Sequence, residues 1–293
     1  MITFLGLGET GRLGNQLFQY AALRSLGLKN NYEVKVPKFS DMSWHGQECL
    51  LGEFSIPVKT LQPTDLESIR GRYYEPNHME VDEHFFLTGD NASIEGFFQS
   101  TFYFGEFSAV IKKELTPRNL NAQKDTVDAL RKKHDCPIVS LHLRRGDNTN
   151  HTNPSTELDS MYGSPDIPFE ESFYGKYLVA ALKQFEGERV KFLVFTGGKR
   201  WTPDDNAEDI QWCKENLVGD SFIFSEGGTT MEDFGSIMMC DHSIMSHVSS
   251  FGWWAAYLSG SSNKKVVAPL HYHPDIPEFT YREGFYPKDF ILV

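Results

Sequence analysis

Apolar residues fall into short runs separated by helix-periodic stretches, and the alternation is cleanest in the second half of the chain. Runs rich in β-branched and aromatic side chains at 138–143, 190–195, 222–224, 243–245 and 266–268 have strand length and strand composition. Between them, 171–185, 205–217, 231–240 and 251–258 carry apolar residues at helical spacing, and a polar helix is predicted over 121–134. Strand and helix alternating through short connections require a parallel sheet covered on both faces, and such sheets bind ligands beyond their carboxyl edges. Residues immediately after those runs are therefore the candidates for chemistry. Near the amino terminus, an apolar run over 1–5 leads into Gly6, Gly8, Gly11 and Gly14. Leu17, Phe18, Ala21 and Ala22 then recur at helical spacing, which predicts strand, glycine loop and helix. Beyond this helix Pro37, Pro57, Pro63 and Pro76 interrupt any regular pattern, and Thr116-Pro117-Arg118-Asn119 punctuates the chain. Two α/β lobes are expected, 1–118 and 119–293, with no solenoid repeat.

Composition narrows the function. The 293 residues hold 28 Lys and Arg against 40 Asp and Glu, a formal charge of −12. That balance opposes attraction to a polyanion, so nucleic acid is not an expected partner. Aromatics make up 14% of the chain, which suits a ring-lined site for a carbohydrate or nucleotide. Cys49, Cys136, Cys213 and Cys240 form no C-x-x-C pair, so neither a zinc knuckle nor a disulfide framework is indicated and a reducing compartment is the default. Met1 to Gly6 lacks a basic leader, and no stretch approaches the roughly 20 apolar residues of a membrane span. The expectation is a soluble cytoplasmic chain, complete from its start, or one peripheral to a membrane.

Several motifs stand directly after the predicted strands. Gly6-x-Gly8-x-x-Gly11 lies between strand and helix as a dinucleotide fingerprint does, with Glu33 about where a ribose-binding acid falls, and by itself it points to an NAD-dependent oxidoreductase. The loop continues as Arg12-Leu13-Gly14-Asn15-Gln16, however, with a cation and two amides that suit another ligand. His142-Leu143-Arg144-Arg145-Gly146-Asp147 closes the 138–143 run. Strand alternation puts His142 and Arg144 on one face and Arg145 on the other. Arg144 is the candidate to grip a diphosphate and to oppose the charge that builds as it leaves; Arg145 reads as a structural partner of Asp147 or as a second donor contact. His142 reads as an orienting or a core residue.

Ser249-Ser250-Phe251 opens an almost wholly apolar helix, where hydroxyls and backbone N–H groups make either an anion site or a plain N-cap; Trp253, Trp254 and Tyr257 read as core. Thr196, before Gly197-Gly198, is placed to reach a ribose hydroxyl, or only to enter a loop. Thr230-Met231-Glu232-Asp233 reads as a capping box, and His271-Tyr272-His273 as exposed. The chain has no G-x-x-x-x-G-K-[ST] loop, no H-E-x-x-H, no G-x-S-x-G and no D-x-D, so the diphosphate is expected to be handled without a metal ion.

Taken in order, Gly11 through Ala21, Gly96-Phe97-Phe98-Gln99-Ser100, His142 through Asp147, Cys240 through Met245 and Phe251 through Leu258 resemble the α-1,2-fucosyltransferases of glycosyltransferase family 11. The resemblance implies a GT-B-like α/β fold, two Rossmann-type lobes with parallel sheets and an interlobe cleft. The first lobe would serve the acceptor and the second would bind the GDP-sugar. It further implies inverting, metal-independent transfer of L-fucose from GDP-β-L-fucose to O2 of a β-galactoside-terminated oligosaccharide, with no cofactor. Carried over by motif, Arg144, Asn15 and Asp147 become catalytic candidates. Arg12, Gly14, Asn15, His142, Arg144, Arg145, Thr196, Ser249, Ser250 and Phe251 become donor-binding candidates, and Asp147 and His151 the nearest candidates for a general base. Many bacterial members show an acidic pair where this chain has Gly197-Gly198, which leaves the base contact to be supplied elsewhere. That departure keeps a non-catalytic nucleotide-sugar or glycan-binding protein as an alternative.

Overall fold

The computed structural model describes residues 1–77, 80–146, 162, 168–197, 206–247, 249–261, 263–271, 281 and 284–293. The chain divides into two compact units, Met1–Asn119 with Tyr281–Lys288, and Leu120–Thr280 with Asp289–Val293. The return of a C-terminal segment to the first unit is absent from the simple two-lobe expectation. It is held by Gly284, whose carbonyl accepts both the N–H and the hydroxyl of Thr101 at 2.7 Å, and by Phe285, which stacks on Phe18.

In the first unit the strands are β1 (Ile2–Thr3), β2 (Lys35–Val36), β3 (Ser43–Trp44), β4 (Gln47–Glu48), β5 (Lys59–Thr60), β6 (Gly71–Tyr74) and β7 (Ala92–Glu95). β7 lies between β1 and β6 in a parallel sheet, β2 pairs with β5 in parallel, and β3 and β4 form an antiparallel hairpin. The helices are α1 (Leu13–Asn30), α2 (Pro63–Leu66) and α3 (Ser108–Glu114). α1 is apolar on most sides and fully buried at Leu17, Phe18, Tyr20, Ala21, Ala22, Leu23 and Leu26, as a helix without a polar face must be. Asn31 ends it in the left-handed conformation. Two of its polar side chains share one partner: Tyr20 donates to Glu114 at 2.6 Å, and Arg24 grips the same carboxylate through Nε and Nη2. Phe85, Phe98 and Tyr103, with centroids 5.0–5.3 Å apart, form an aromatic core beneath β6 and β7.

The second unit carries α4 (Asn121–His134), β8 (Ile138–Leu143), α5 (Phe173–Lys183), β9 (Lys191–Thr196), α6 (Ala207–Asn216), β10 (Phe222–Phe224), α7 (Thr230–Met239), β11 (His242–Ile244), α8 (Ser250–Leu258), β12 (Val266–Ala268) and β13 (Ile291–Leu292). All six strands are parallel, in the order β10-β9-β8-β11-β12-β13. Every residue of β8 is buried, as a central parallel strand demands. The sequence runs outward from β8 to β9 and β10, then returns to the other side for β11, β12 and β13. The sheet therefore changes direction between β8 and β11, and the crevice at their carboxyl ends is where doubly wound sheets bind ligands.

The helix and strand pattern expected after residue 120 is present, with ends displaced by one or two residues. The capping box is shifted by one: Thr229, not Thr230, caps α7 and is answered by Glu232. Trp253, Trp254 and Tyr257 are buried, as expected of α8. His271 is half-buried, not exposed, because its carbonyl contacts the His247 ring; Tyr272 and His273 lie outside the described residues.

His242 opens β11, and its Nδ1 accepts the N–H of Lys265 at 3.0 Å. Burial pulls its pKa below the ordinary histidine value; nearby Lys265 and Lys264 act in the same direction, Asp241 and Glu188 against it. The unfolded chain then binds more protons as pH falls through the histidine range, so this contribution is present above about pH 6.5 and lost below it. His242→Asn keeps an acceptor without titrating. Chemical denaturation from pH 7 to pH 5 should show a smaller loss of stability for this variant than for the wild type.

Candidate functional site

Two sets of candidate residues gather at the carboxyl edges of the two sheets, each within its own unit. In the first unit the loop after β1 turns through Gly8 and Gly11, with φ of +97° and +79°. A Cβ on Gly8 would stand 2.8 Å from Met42 Cβ, and one on Gly11 2.6 Å from Asn15 Nδ2. The loop's carbonyls are held by amides from α1: Gln16 Nε2 donates to Gly11 O at 2.8 Å, and Gln19 Nε2 to Thr10 O at 3.0 Å. Both glutamines are buried, so their amides serve the loop itself. Arg12 and Asn15 are half-buried, Gly14 is buried under them at the start of α1, and Asn15 Oδ1 accepts from Gln99 Nε2 at 2.8 Å. Thus the loop motif and the Gly96–Ser100 motif, about 80 residues apart, are joined by side-chain hydrogen bonds.

The fingerprint's acid fails in this geometry. The Glu33 carbonyl accepts the N–H of Ile2, which places Glu33 at the amino end of the sheet, opposite the glycine loop. Its carboxylate pairs with Lys59 at 2.6 Å. No ribose at the glycine loop can use it, so the oxidoreductase reading rests on the glycines alone.

In the second unit the switch point is built by residues beyond β8 and β11. Arg144 is the first residue past β8; its N–H donates to Ser246 Oγ at 2.8 Å and its carbonyl accepts from Tyr162. Arg145 turns to the opposite side. Its guanidinium lies 3.7 Å from the centroid of Trp212 and its Nε donates to Asp209 at 3.2 Å, both partners on α6. The partner expected from sequence, Asp147, lies outside the described residues, as does His151. Burial lowers the Arg145 pKa and Asp209 opposes that shift. Arg145 is thereby held by α6; Arg144, also partly buried, follows β8 at the carboxyl edge of the sheet.

His142 is buried at the end of β8, its ring 5.6 Å from Phe251. A Cβ on Gly252 would stand 2.7 Å from His142 Nδ1, so α8 can approach β8 this closely only because residue 252 is glycine. Ser249 is the N-cap of α8, its Oγ accepting from the Gly252 N–H at 3.2 Å; Ser250 and Phe251 form the half-buried first turn. Thr196 ends β9 with its hydroxyl buried, so a ribose would have to displace its cover. Cys213 lies on the adjacent α6 and its thiol is pushed up to about 12 by burial, an inert group rather than a nucleophile. Among the described residues, no three His, Cys, Asp or Glu side chains converge as a metal site requires, and no helix is long and apolar enough to cross a membrane.

Comparison with known proteins agrees with this architecture. The family described as "Glycosyl transferase family 11" matches residues 7–291. The chain belongs to glycosyl transferase family 11. Relatives of this family 11 glycosyltransferase include the galactoside alpha-(1,2)-fucosyltransferase 2 of Sus scrofa, 26% identical over 92% of this chain and 74% of that protein. The Bos taurus protein of the same name is 25% identical over 96% and 77%. In fold, the chain is similar to POFUT1 crystallised with GDP, at a TM-score of 0.51 and 12% identity over 91% of this chain and 97% of that one. It is also similar to NodZ alpha-1,6-fucosyltransferase soaked with GDP-fucose, at 0.50 and 12% over 88% and 92%. The GT-B-like α/β fold expected from sequence is thus the fold found.

The two arginines should separate cleanly by mutation. Arg145→Ala leaves Asp209 buried without its guanidinium, and denaturation should report a loss of about 3–5 kcal/mol. Arg144→Ala leaves no buried carboxylate of α6 stranded and should cost less than Arg145→Ala by the same measurement. Gly252→Ala, which drives a methyl into His142, should cost about 1–3 kcal/mol by the same measurement.

Proposed function

We propose that this protein transfers L-fucose from GDP-β-L-fucose to O2 of a terminal β-galactoside, inverting the anomeric centre and using no divalent ion. The observation that carries the reading is the crevice between β8 and β11, where Arg144 and the first turn of α8 both come after strands flanking the switch point. A guanidinium beside a helix N-terminus is an anion site assembled from protein groups alone. Family membership and the activity for which the mammalian relatives are named support fucosyl transfer to a galactoside, and the ligands of the POFUT1 and NodZ crystals support a guanylated donor.

In this reading the second unit binds the donor's diphosphate. The Arg144 guanidinium opposes the charge that accumulates on the leaving phosphate, and the Ser250 hydroxyl with the N–H groups of the α8 first turn donates to its remaining oxygens. Ser249 shapes that turn as its cap. Arg145 and His142 act from behind, one fixing the loop after β8 against α6 and the other setting the approach of α8. Arg12 and Asn15 remain candidates for a sugar-binding role within the first unit. The acceptor hydroxyl attacks the anomeric carbon on the face opposite the diphosphate, so a single displacement converts a β-linked donor into an α-linked product. An oxocarbenium-like transition state driven by the leaving group asks little of a general base.

The test is a matrix of GDP-sugars against β-galactosides, with product linkage read by NMR, run with and without EDTA. GDP-fucose should be the donor used, the product α-1,2-linked, and the rate unaltered by EDTA. Arg144→Ala should lower kcat by about two to three orders of magnitude. A rate abolished by EDTA and restored by Mn2+ would refute the metal-independent part. Donor hydrolysis without acceptor separates an enzyme from a binding protein, and a thermal shift with NAD but none with GDP would favour the oxidoreductase.

A further inference from the structure

The ladder between β8 and β11 ends at Leu141 and Ile244, and the two strands part from there. Buried carbonyls need donors wherever regular pairing stops. Three tyrosine hydroxyls donate at this point: Tyr174 to His142 O at 3.1 Å, Tyr177 to Met245 O at 2.7 Å, and Tyr162 to Arg144 O. Tyr174 and Tyr177 are about one turn apart on α5, and Tyr162 precedes that helix in the chain. All three side chains are buried, and their rings touch: the Tyr162 and Tyr174 centroids are 5.2 Å apart and those of Tyr174 and Tyr177 5.5 Å. One aromatic stack therefore references three carbonyls to one another across the opening of the sheet.

Arg144 is the residue on which this arrangement bears most. As the first residue past β8 it has left the strand, yet both of its backbone groups are held by side chains. Its N–H donates to Ser246 Oγ at 2.8 Å, and its carbonyl accepts from the Tyr162 hydroxyl. The Tyr162 ring lies 5.3 Å from the Arg145 guanidinium as well, so one side chain meets both arginines by different means. We infer that Tyr162 is a positioning residue for donor binding: its hydroxyl, by fixing the Arg144 carbonyl, sets where the Arg144 guanidinium meets the diphosphate. The inference rests on the proposed role of Arg144. It asks for the charge of that side chain at the crevice rather than for any one of its N–H donors, and it involves residues of the second unit alone.

Tyr162→Phe removes one hydroxyl and keeps the ring against Tyr174 and Arg145. GDP affinity is measured by titration calorimetry on wild type, Tyr162→Phe, Arg144→Ala and the double variant, and turnover with GDP-β-L-fucose and a β-galactoside. In Tyr162→Phe the Kd for GDP should rise about 10-fold and kcat fall about 10- to 100-fold, with the acceptor KM unaltered and Tm within about 5 °C of wild type. In the Arg144→Ala background the same change should leave the GDP Kd where Arg144→Ala put it, because Tyr162 acts through Arg144. A merely structural hydroxyl would lower Tm without that dependence. Wild-type Kd and kcat in Tyr162→Phe, or equal fold losses in the two backgrounds, would overturn the inference. So would a Tyr162→Phe protein that does not fold, since the hydroxyl would then serve the core as a whole. A wild type that binds no GDP refutes the donor reading instead. The clamp is in that case read from the Arg145 amide resonance, whose N–H shares a peptide with the Arg144 carbonyl. A shift of that resonance in Tyr162→Phe supports the clamp, and no shift overturns it.

Discussion

The parallel pairing of β8 with β9 on one side and β11 on the other is the constraint from which the second unit is built. Six buried residues in β8 have no route to water for their backbone, so both edges of the strand must be paired. Pairing both edges with strands that leave in opposite directions opens the sheet at its carboxyl end. The residues next in sequence after β8 and after β11 are delivered to the same place. His142, Arg144 and Arg145 arrive from one strand and Ser246, His247 and Ser249 from the other, and the Arg144 N–H to Ser246 Oγ bond stitches the two loops together. The chemistry of the unit is thus a consequence of strand order, with side chains selected to exploit it.

Within that frame, polar residues divide by what the fold takes from them. Adjacent arginines have unlike fates because strand alternation sends them to unlike environments. Arg145 meets the face of Trp212 and the carboxylate of Asp209, and becomes part of the packing between β8 and α6. Arg144 meets the crevice. The same partition recurs in the first unit, where Gln16 and Gln19 are buried to hold the carbonyls of a glycine turn that lacks ladder partners, while Arg12 and Asn15 stay half-buried. A loop of this kind cannot be read by residue type alone, since two of its three amides are scaffolding.

How far the sequence was legible depends on the range of the interactions involved. Elements of the second unit were readable because β-branched runs and 3.6-residue periodicity are local signals, and α4, β8, β10 and β12 appear over the residues expected. Ends moved where a side chain outside the run decided them, as with Thr229, whose reciprocal bonds with Glu232 set the start of α7 one residue early. Long-range partners were not legible. Nothing local in Arg145 names Asp209, 64 residues away, and nothing in Gln99 names Asn15, 84 away. The Gly284 carbonyl, which brings the last aromatic segment back to Thr101, is 183 residues from its partner. Glu33 was misassigned for a related reason: its spacing from the fingerprint fits a ribose acid, yet β2 begins after it, and the position of a strand's start cannot be judged to two residues from periodicity.

Net charge sharpens what the crevice must accomplish. A chain at −12 surrounds itself with a field that repels a nucleotide diphosphate, so long-range steering works against the proposed donor. Capture must then come from short-range groups, which act within a few ångströms and are little screened when partly buried. A half-buried guanidinium and a helix N-terminus are groups of that kind, and a helix N-terminus is fixed before a ligand arrives. The same reasoning gives His142, Gly252 and Arg145 a part in the proposed site through packing. In an acidic protein, an anion site is only as good as the rigidity with which its few favourable dipoles are aimed, and these residues supply that rigidity.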